Sequence, residues 1–320
     1  MGTESTPKVE KVATRDAYGQ ALAELGDTHP EIVVLDADLS KSTKTETFAK
    51  KFPDRFFQMG IAEANMMGVA AGLARCGKVP FASTFSIFAS GRAWEQVRNT
   101  IAYSALNVKI VATHGGVSVG ADGSSHQCIE DFATMGAIPT MRVVCPCDGP
   151  ETKRVIKAVA ETPGPFYVRL GRAKVPTITD RDAPFELGKG IVMRKGNDVT
   201  IFACGALVAN ALQAAEKLAA ENVQAAVINL HTVKPLDESL IGTWAARTGA
   251  VVTAEEHVLR GGLGSAVALV LGRICPVPLE CIGINDQFGQ SGDPEELFEH
   301  YGLTAAHIAD AARKAVSRRG

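Results

Sequence analysis

The sequence lacks a membrane-spanning run, a metal-binding cysteine pattern and an excess of charge of either sign. Apolar runs such as Ala266 to Gly272 are short, whereas a helix needs about 20 apolar residues to cross a bilayer. No membrane partner is therefore expected. The opening hexapeptide Met1-Gly2-Thr3-Glu4-Ser5-Thr6 is polar and has no apolar core of a signal peptide. It formally fits a myristoylation pattern, but no second membrane signal accompanies it. A net charge of −2 gives no electrostatic footprint for nucleic acid or lipid headgroups. The seven cysteines are odd in number and scattered, without metal-ligand or CxxC spacing. Cys145-Pro146-Cys147 is neither a redox motif nor half a zinc site. Reduced, mostly buried thiols and a cytoplasmic location are the expectation.

What is present is an α/β pattern. The chain has 320 residues of which 46% are apolar, enough for two domains with real cores. Continuous apolar strands such as Ile32-Val33-Val34-Leu35 alternate with helical patterns, and such alternation means doubly wound parallel sheets. The alternation pauses between Gly171 and Asn197, where prolines, glycines and charges gather. A boundary near Pro184 divides the chain into residues 1–184 and 185–320. The alternation then resumes and ends in a helix from about Thr304.

The most informative stretch runs from Phe56 to Ala74. It reads as a short strand, a break at Gly60, and a helix rich in Ala, Gly and Met that is apolar nearly all round and so expected to be buried between layers. Glu63, in the first turn of that helix, is the one charge between Arg55 and Arg75. The helix dipole favours the charged carboxylate by roughly 0.3–1 kcal/mol, while burial favours the protonated form. A carboxyl that can hold or share a proton is expected. Further on, Val79 to Ala93 runs from strand to helix with Phe85 and Phe88 three apart, and a glycine-rich loop from His114 to Gln127 carries His114, Asp122 and His126. Arg15 lies in the opening turn of a helix capped by Thr14; a cation there opposes the helix dipole and calls for an anion. Asp38 and Ser42 follow the first apolar strand, where open α/β sheets bind ligands.

Taken together these stretches resemble the pyrimidine-binding domain of transketolase, and the likeness continues through the final domain. The nearest form is the C-terminal subunit of a transketolase split over two polypeptides. The resemblance implies thiamine diphosphate as cofactor. Glu63 matches the acid that hydrogen-bonds the aminopyrimidine, Phe85 and Phe88 the aromatic wall of its slot, and Asp38 a position beside the thiazolium. Arg15, Ser42, His114 and Arg172 match the grip on a sugar phosphate, a task suited to the bidentate fork of arginine. Asp122 matches a contact to substrate hydroxyls and His126 one to the reacting carbonyl region. Two departures stand out: Gly91 replaces the usual tyrosine, and Ser124-Ser125 replaces Pro-Thr. They imply a more open slot and a more mobile loop.

The resemblance also exposes a gap. Thiamine enzymes hold the diphosphate through a metal bound by Gly-Asp-Gly and a later asparagine, and no Gly-Asp-Gly occurs here. Mg²⁺ and its oxygen ligands are therefore expected on an N-terminal partner subunit, in an α₂β₂ assembly. Alternatives are a deoxyxylulose-phosphate synthase-like subunit, a 2-oxoacid dehydrogenase β subunit, or a non-catalytic partner. The phosphate-gripping set disfavours the second and the intact Glu63 the last. Two further features carry weaker readings: Gly261-Gly262-Leu263-Gly264-Ser265 as a phosphate loop, and Glu255-Glu256-His257 as an acid/base or metal cluster. A glycine-rich strand-to-helix turn and a structural or subunit-contact role explain them better.

Overall fold

The structure is a computed structural model that describes residues 10–319; the N-terminal hexapeptide lies outside them. Two sheets organise it. The first, of seven strands, runs in the order Thr232–Lys234, Arg142–Val144, Phe166–Arg169, Lys109–Thr113, Val79–Phe85, Ile32–Asp36, Phe56–Gln58. All neighbours are parallel except the first pair. The central strands are buried along their whole length, as strands covered by helices on both faces must be. Parallel pairing brings their carboxyl ends to one edge, and most of the site candidates follow strands there.

The second sheet has five strands in the order Leu279–Ile284, Val251–Val258, Val199–Ala203, Ala225–Asn229, Ile191–Arg194. Its last strand is antiparallel. Two strands refine the domain picture. Ile191–Arg194 comes from the stretch read as linker and belongs to the second sheet. Thr232–Lys234 leaves the second half of the chain to close the edge of the first sheet. The linker also holds Lys174–Pro176, paired antiparallel with Lys11–Ala13. The helix Glu238–Thr248 went unread, although Ile241, Trp244, Ala245 and Thr248 are buried at helical spacing.

The helix read as buried all round is not. Glu63–Arg75 buries Glu63, Met66, Met67, Ala70 and Ala71 but presents Asn65, Gly68, Val69 and Gly72 outward. A Cβ on Gly68 or Gly72 would meet nothing within 4 Å. Small residues gave no polar face by which the sequence could reveal the exposed side. The helix expected after Phe85 forms, but Phe88–Arg92 and Gln96–Ala102 are wound as π-helix. Such wide turns frequently mark functional sites.

All seven cysteines are free thiols. Among the described residues no helix is long and apolar enough to cross a membrane.

Candidate functional site

The site grows from the loops at the carboxyl edge of the first sheet. Asp36 ends its strand fully buried and accepts from Leu39 N (2.6 Å), Thr43 Oγ1 (2.6 Å) and Thr45 Oγ1 (2.8 Å). One carboxylate thereby shapes the turn that carries Asp38 and Ser42. Burial pushes the Asp36 carboxyl up, and the Thr43, Leu39 and Thr45 bonds pull against that rise. Asp38 takes a left-handed backbone (φ 64°) and donates its N–H to Gln58 Oε1 at 2.6 Å; its side chain is exposed.

Arg15 reaches across from the first helix, Thr14–Leu25. Its Nη1 donates to Ser42 O at 3.0 Å and faces His114 Nε2 at 3.4 Å. Its Nε is buried without a partner, a donor left for a ligand. Thr14, read as the helix cap, turns elsewhere: its Oγ1 accepts from Gly171 N at 2.9 Å, tying this helix to the segment that bears Arg172.

His114 is a strained residue (φ 62°) and is almost wholly buried. Burial, then the charges of Arg15 and Arg172, push its imidazole down to about 3. It is therefore neutral. Arginine can only donate, so Nε2 accepts and Nδ1–H donates to Thr113 Oγ1 at 2.8 Å, a tautomer assigned from the partners.

The aromatic wall stands beside it. Phe85 stacks on His114 with centroids 3.7 Å apart and on Phe88 at 5.7 Å. His126 approaches both phenylalanines edge-on, at 6.2 and 5.7 Å, with Ser125 Oγ 2.9 Å from its Nδ1. Arg172 donates to Val119 O in the loop, and its charge and that of Asp122 both act on Arg15. Asp122 is exposed at the mouth.

Glu63 lies beneath this wall, 4% exposed. Its Oε1 accepts from Arg92 Nη1 at 3.1 Å, and that guanidinium covers Phe88, 4.0 Å from the ring centroid. Contacts and charges thus link Glu63, Phe88, Phe85, His126, His114, Arg15, Ser42, Arg172 and Asp122, whereas the Asp38 side chain is exposed and its backbone bonds Gln58 instead. Arg92 and Asp36 were missed by sequence reasoning. Arg92 is separated from Glu63 by 29 positions, and no local pattern links them; Asp36, at the end of an apolar strand, carries no local mark of the three donors it gathers.

The two weaker motifs resolve as structure. Glu255 Oε2 and Oε1 accept from Leu263 N (2.6 Å) and Gly264 N (2.7 Å), so a carboxylate of the chain itself fills the helix terminus read as a phosphate loop. His257 Nε2 accepts from Phe132 N at 3.1 Å, and its Nδ1 donates to Val258 O at 2.7 Å. No group of three or more metal-ligating side chains comes together among the described residues.

Two largely parallel-sheet domains, with polar loops assembled over the carboxyl edge of the first, define an α/β protein with a candidate ligand site at that edge. Residues 10–177 match the transketolase pyrimidine binding domain and residues 188–308 the transketolase C-terminal domain, and the chain belongs to the transketolase family. Within it the chain corresponds to the C-terminal section of a split transketolase. A protein of Methanocaldococcus jannaschii, provisionally named as such a section, is 51% identical over 298 residues, 92% of this chain and 93% of its own. A 6-deoxy-6-sulfo-D-fructose transketolase subunit of a Clostridium species is 44% identical over 98% of this chain and 97% of its own. A solved split-gene transketolase, described as an inactive β4 tetramer, superposes with a TM-score of 0.91 at 54% identity, covering 97% of this chain and all of that one.

Proposed function

We propose that this chain is the β subunit of a two-polypeptide transketolase, moving a two-carbon ketol unit from a ketose phosphate to an aldose phosphate. The observation that carries the reading is the convergence of Arg15, His114 and Arg172 beside the Phe85–Phe88 wall. Cations aimed at one mouth fit an anionic sugar terminus, and a flat apolar wall fits a heterocycle.

Bound thiamine diphosphate would supply the nucleophilic carbon that ketol transfer needs. The residues present fit its pyrimidine half. Glu63 offers a buried carboxyl that would hydrogen-bond a nitrogen of the bound ring. Phe85 and Phe88 would form an apolar wall for the ring, at about 0.5–1.5 kcal/mol per contact beyond burial. Arg92 must release Glu63 for this, which its half-exposed side chain allows. Arg15, with the Ser42 turn, His114 and Arg172 grip the phosphate; Asp122 orients sugar hydroxyls; His126 lies over the wall to exchange a proton with the reacting oxygen. Asp38 would lie beside the thiazolium if the resemblance holds at that position.

We place the diphosphate, Mg²⁺ and its ligands on an N-terminal partner subunit, in an α₂β₂ assembly of the cytoplasm. By analogy with the inactive β4 relative, the chain alone assembles without turnover. The sulfosugar relative widens the substrate class to a sulfonate, which the same cations would hold.

Reconstitution with an N-terminal section, assayed with xylulose 5-phosphate and ribose 5-phosphate and then with a sulfosugar donor, tests the proposal. Glu63→Ala should keep the assembly and nearly abolish ketol transfer. Unchanged turnover would remove Glu63 from the mechanism.

A further inference from the structure

The second domain holds no candidate from the site, yet it touches the substrate loop at several points. Glu256, on the strand Val251–Val258, accepts from Ser118 N at 2.6 Å through Oε1. It is buried, and burial pushes its carboxyl up while Arg169 and the Ser118 bonds oppose that. The loop bends tightly around this carboxylate. Gly116 has φ +87°, and a Cβ there would lie 2.2 Å from Glu256 Cδ, so the close approach excludes any side chain. Arg169 Nη2 bridges the two sides, donating to Cys128 O at 3.2 Å and Glu256 O at 2.8 Å. Further along, Gln127 Nε2 donates to Gln290 O of the second domain at 2.9 Å.

Each contact falls between or beside the residues that face substrate. Ser118 follows His114, and Gln127 follows His126. The loop between them contains a kink at Gly120 (φ 82°), and its tip at Asp122 is exposed. Such a segment has little local stability of its own. We propose that Glu256 is a positioning residue for the transferase: from the second domain it fixes the Ser118 amide and thereby the spacing of His114, Asp122 and His126. This rests on the function proposed above for those three residues. It assigns the C-terminal domain a part in setting substrate geometry.

A carboxylate bonded to a buried amide is a strong, directional contact. Its loss leaves Ser118 N–H unsatisfied and the loop free to shift. In the reconstituted enzyme, Glu256→Ala should lower kcat/KM for the phosphorylated donor by about tenfold or more, with KM rising because His114 leaves its place. Glu256→Gln keeps an oxygen acceptor and should stay within about threefold of the parent. Equal losses in the two variants, or parental kinetics in Glu256→Ala, would overturn the assignment. A measurement on the unaltered chain needs neither variant folding nor activity. In hydrogen exchange the Ser118 amide should be protected, and exposed Asp122 should exchange quickly. Free exchange at Ser118 would overturn the clamp even in an active enzyme. Protection of that amide in a chain that transfers no ketol unit with any partner would instead sink the function proposed above and leave the clamp standing.

Discussion

The guanidinium of Arg15 lies 3.4 Å from Nε2 of His114, across 99 positions of sequence. A cation and a neutral imidazole share the mouth of the site, and the Arg15 Nε beside them has no partner. Burial lowers the Arg15 guanidinium from its ordinary value, and an anion entering the mouth would be its best compensation. Arg15→Lys keeps the charge and removes the fork. In the reconstituted enzyme it should raise KM for a phosphorylated ketose about 10- to 100-fold with a smaller change in kcat. Steady-state kinetics check this, and an unchanged KM would take Arg15 out of the phosphate grip.

His114 supplies a pH signature. An unfolded histidine titrates near 6.5, and the buried one is pushed down to about 3. Between those values the unfolded chain takes up a proton that the folded chain refuses. The stability tied to neutral His114 is therefore complete above pH 6.5 and drains away as pH falls toward 3. Comparison with His114→Asn isolates it from the other buried groups. The stability advantage of the parent over the variant should shrink by up to about 1.4 kcal/mol per pH unit below pH 6.5. Urea denaturation of both proteins at stepped pH measures it, and a constant difference would contradict the buried neutral ring.

Asp36 offers a test of the loop architecture. Its carboxylate holds Leu39 N, Thr43 Oγ1 and Thr45 Oγ1, and no other acceptor lies in that turn for all three. Asp36→Ala should cost about 2–4 kcal/mol and release the Ser42 carbonyl from Arg15. Chemical denaturation gives the energy. Hydrogen exchange of residues 39–45 should rise together, and local protection equal to the parent would refute the role.

The Glu63–Arg92 pair makes the opposite prediction about stability. One partner is buried, but Arg92 is 53% exposed, and solvent screens such a contact to about 0–1 kcal/mol. Arg92→Ala should therefore shift Tm by no more than about 3 °C. On the proposed function Arg92 occupies a Glu63 oxygen that would otherwise be free for the pyrimidine, so its removal should leave cofactor affinity equal or tighter. Weaker thiamine diphosphate binding in the reconstituted enzyme would show that Arg92 helps to hold the ring.

Local pattern carried much of this. Ala17, Ala21, Leu22 and Leu25 fall at the spacing of one helix face and are all buried; Ile32 to Leu35 read as a continuous strand and is buried throughout. The boundaries of the Glu63 helix were legible too, from Gly60 (φ 68°) and the apolar run after it. The outer face of that helix was not, since Gly68 and Gly72 carry no polarity to mark it. Nor could the stretch from Gly171 to Asn197 reveal that Ile191–Arg194 adds an edge to the second sheet, because edge pairing depends on a neighbour more than on its own composition.

By itself the sequence determined the period of many elements, the parallel α/β class and the residue types that could do the chemistry, because periodicity and side-chain chemistry are local properties. Only the tertiary structure decided that Arg15 meets Ser42 and His114, that Arg92 covers Glu63, and that Glu256 reaches Ser118 over 138 positions. Those contacts join residues whose separation along the chain carries no trace in the pattern. Packing two sheets together is what brings them within hydrogen-bond reach.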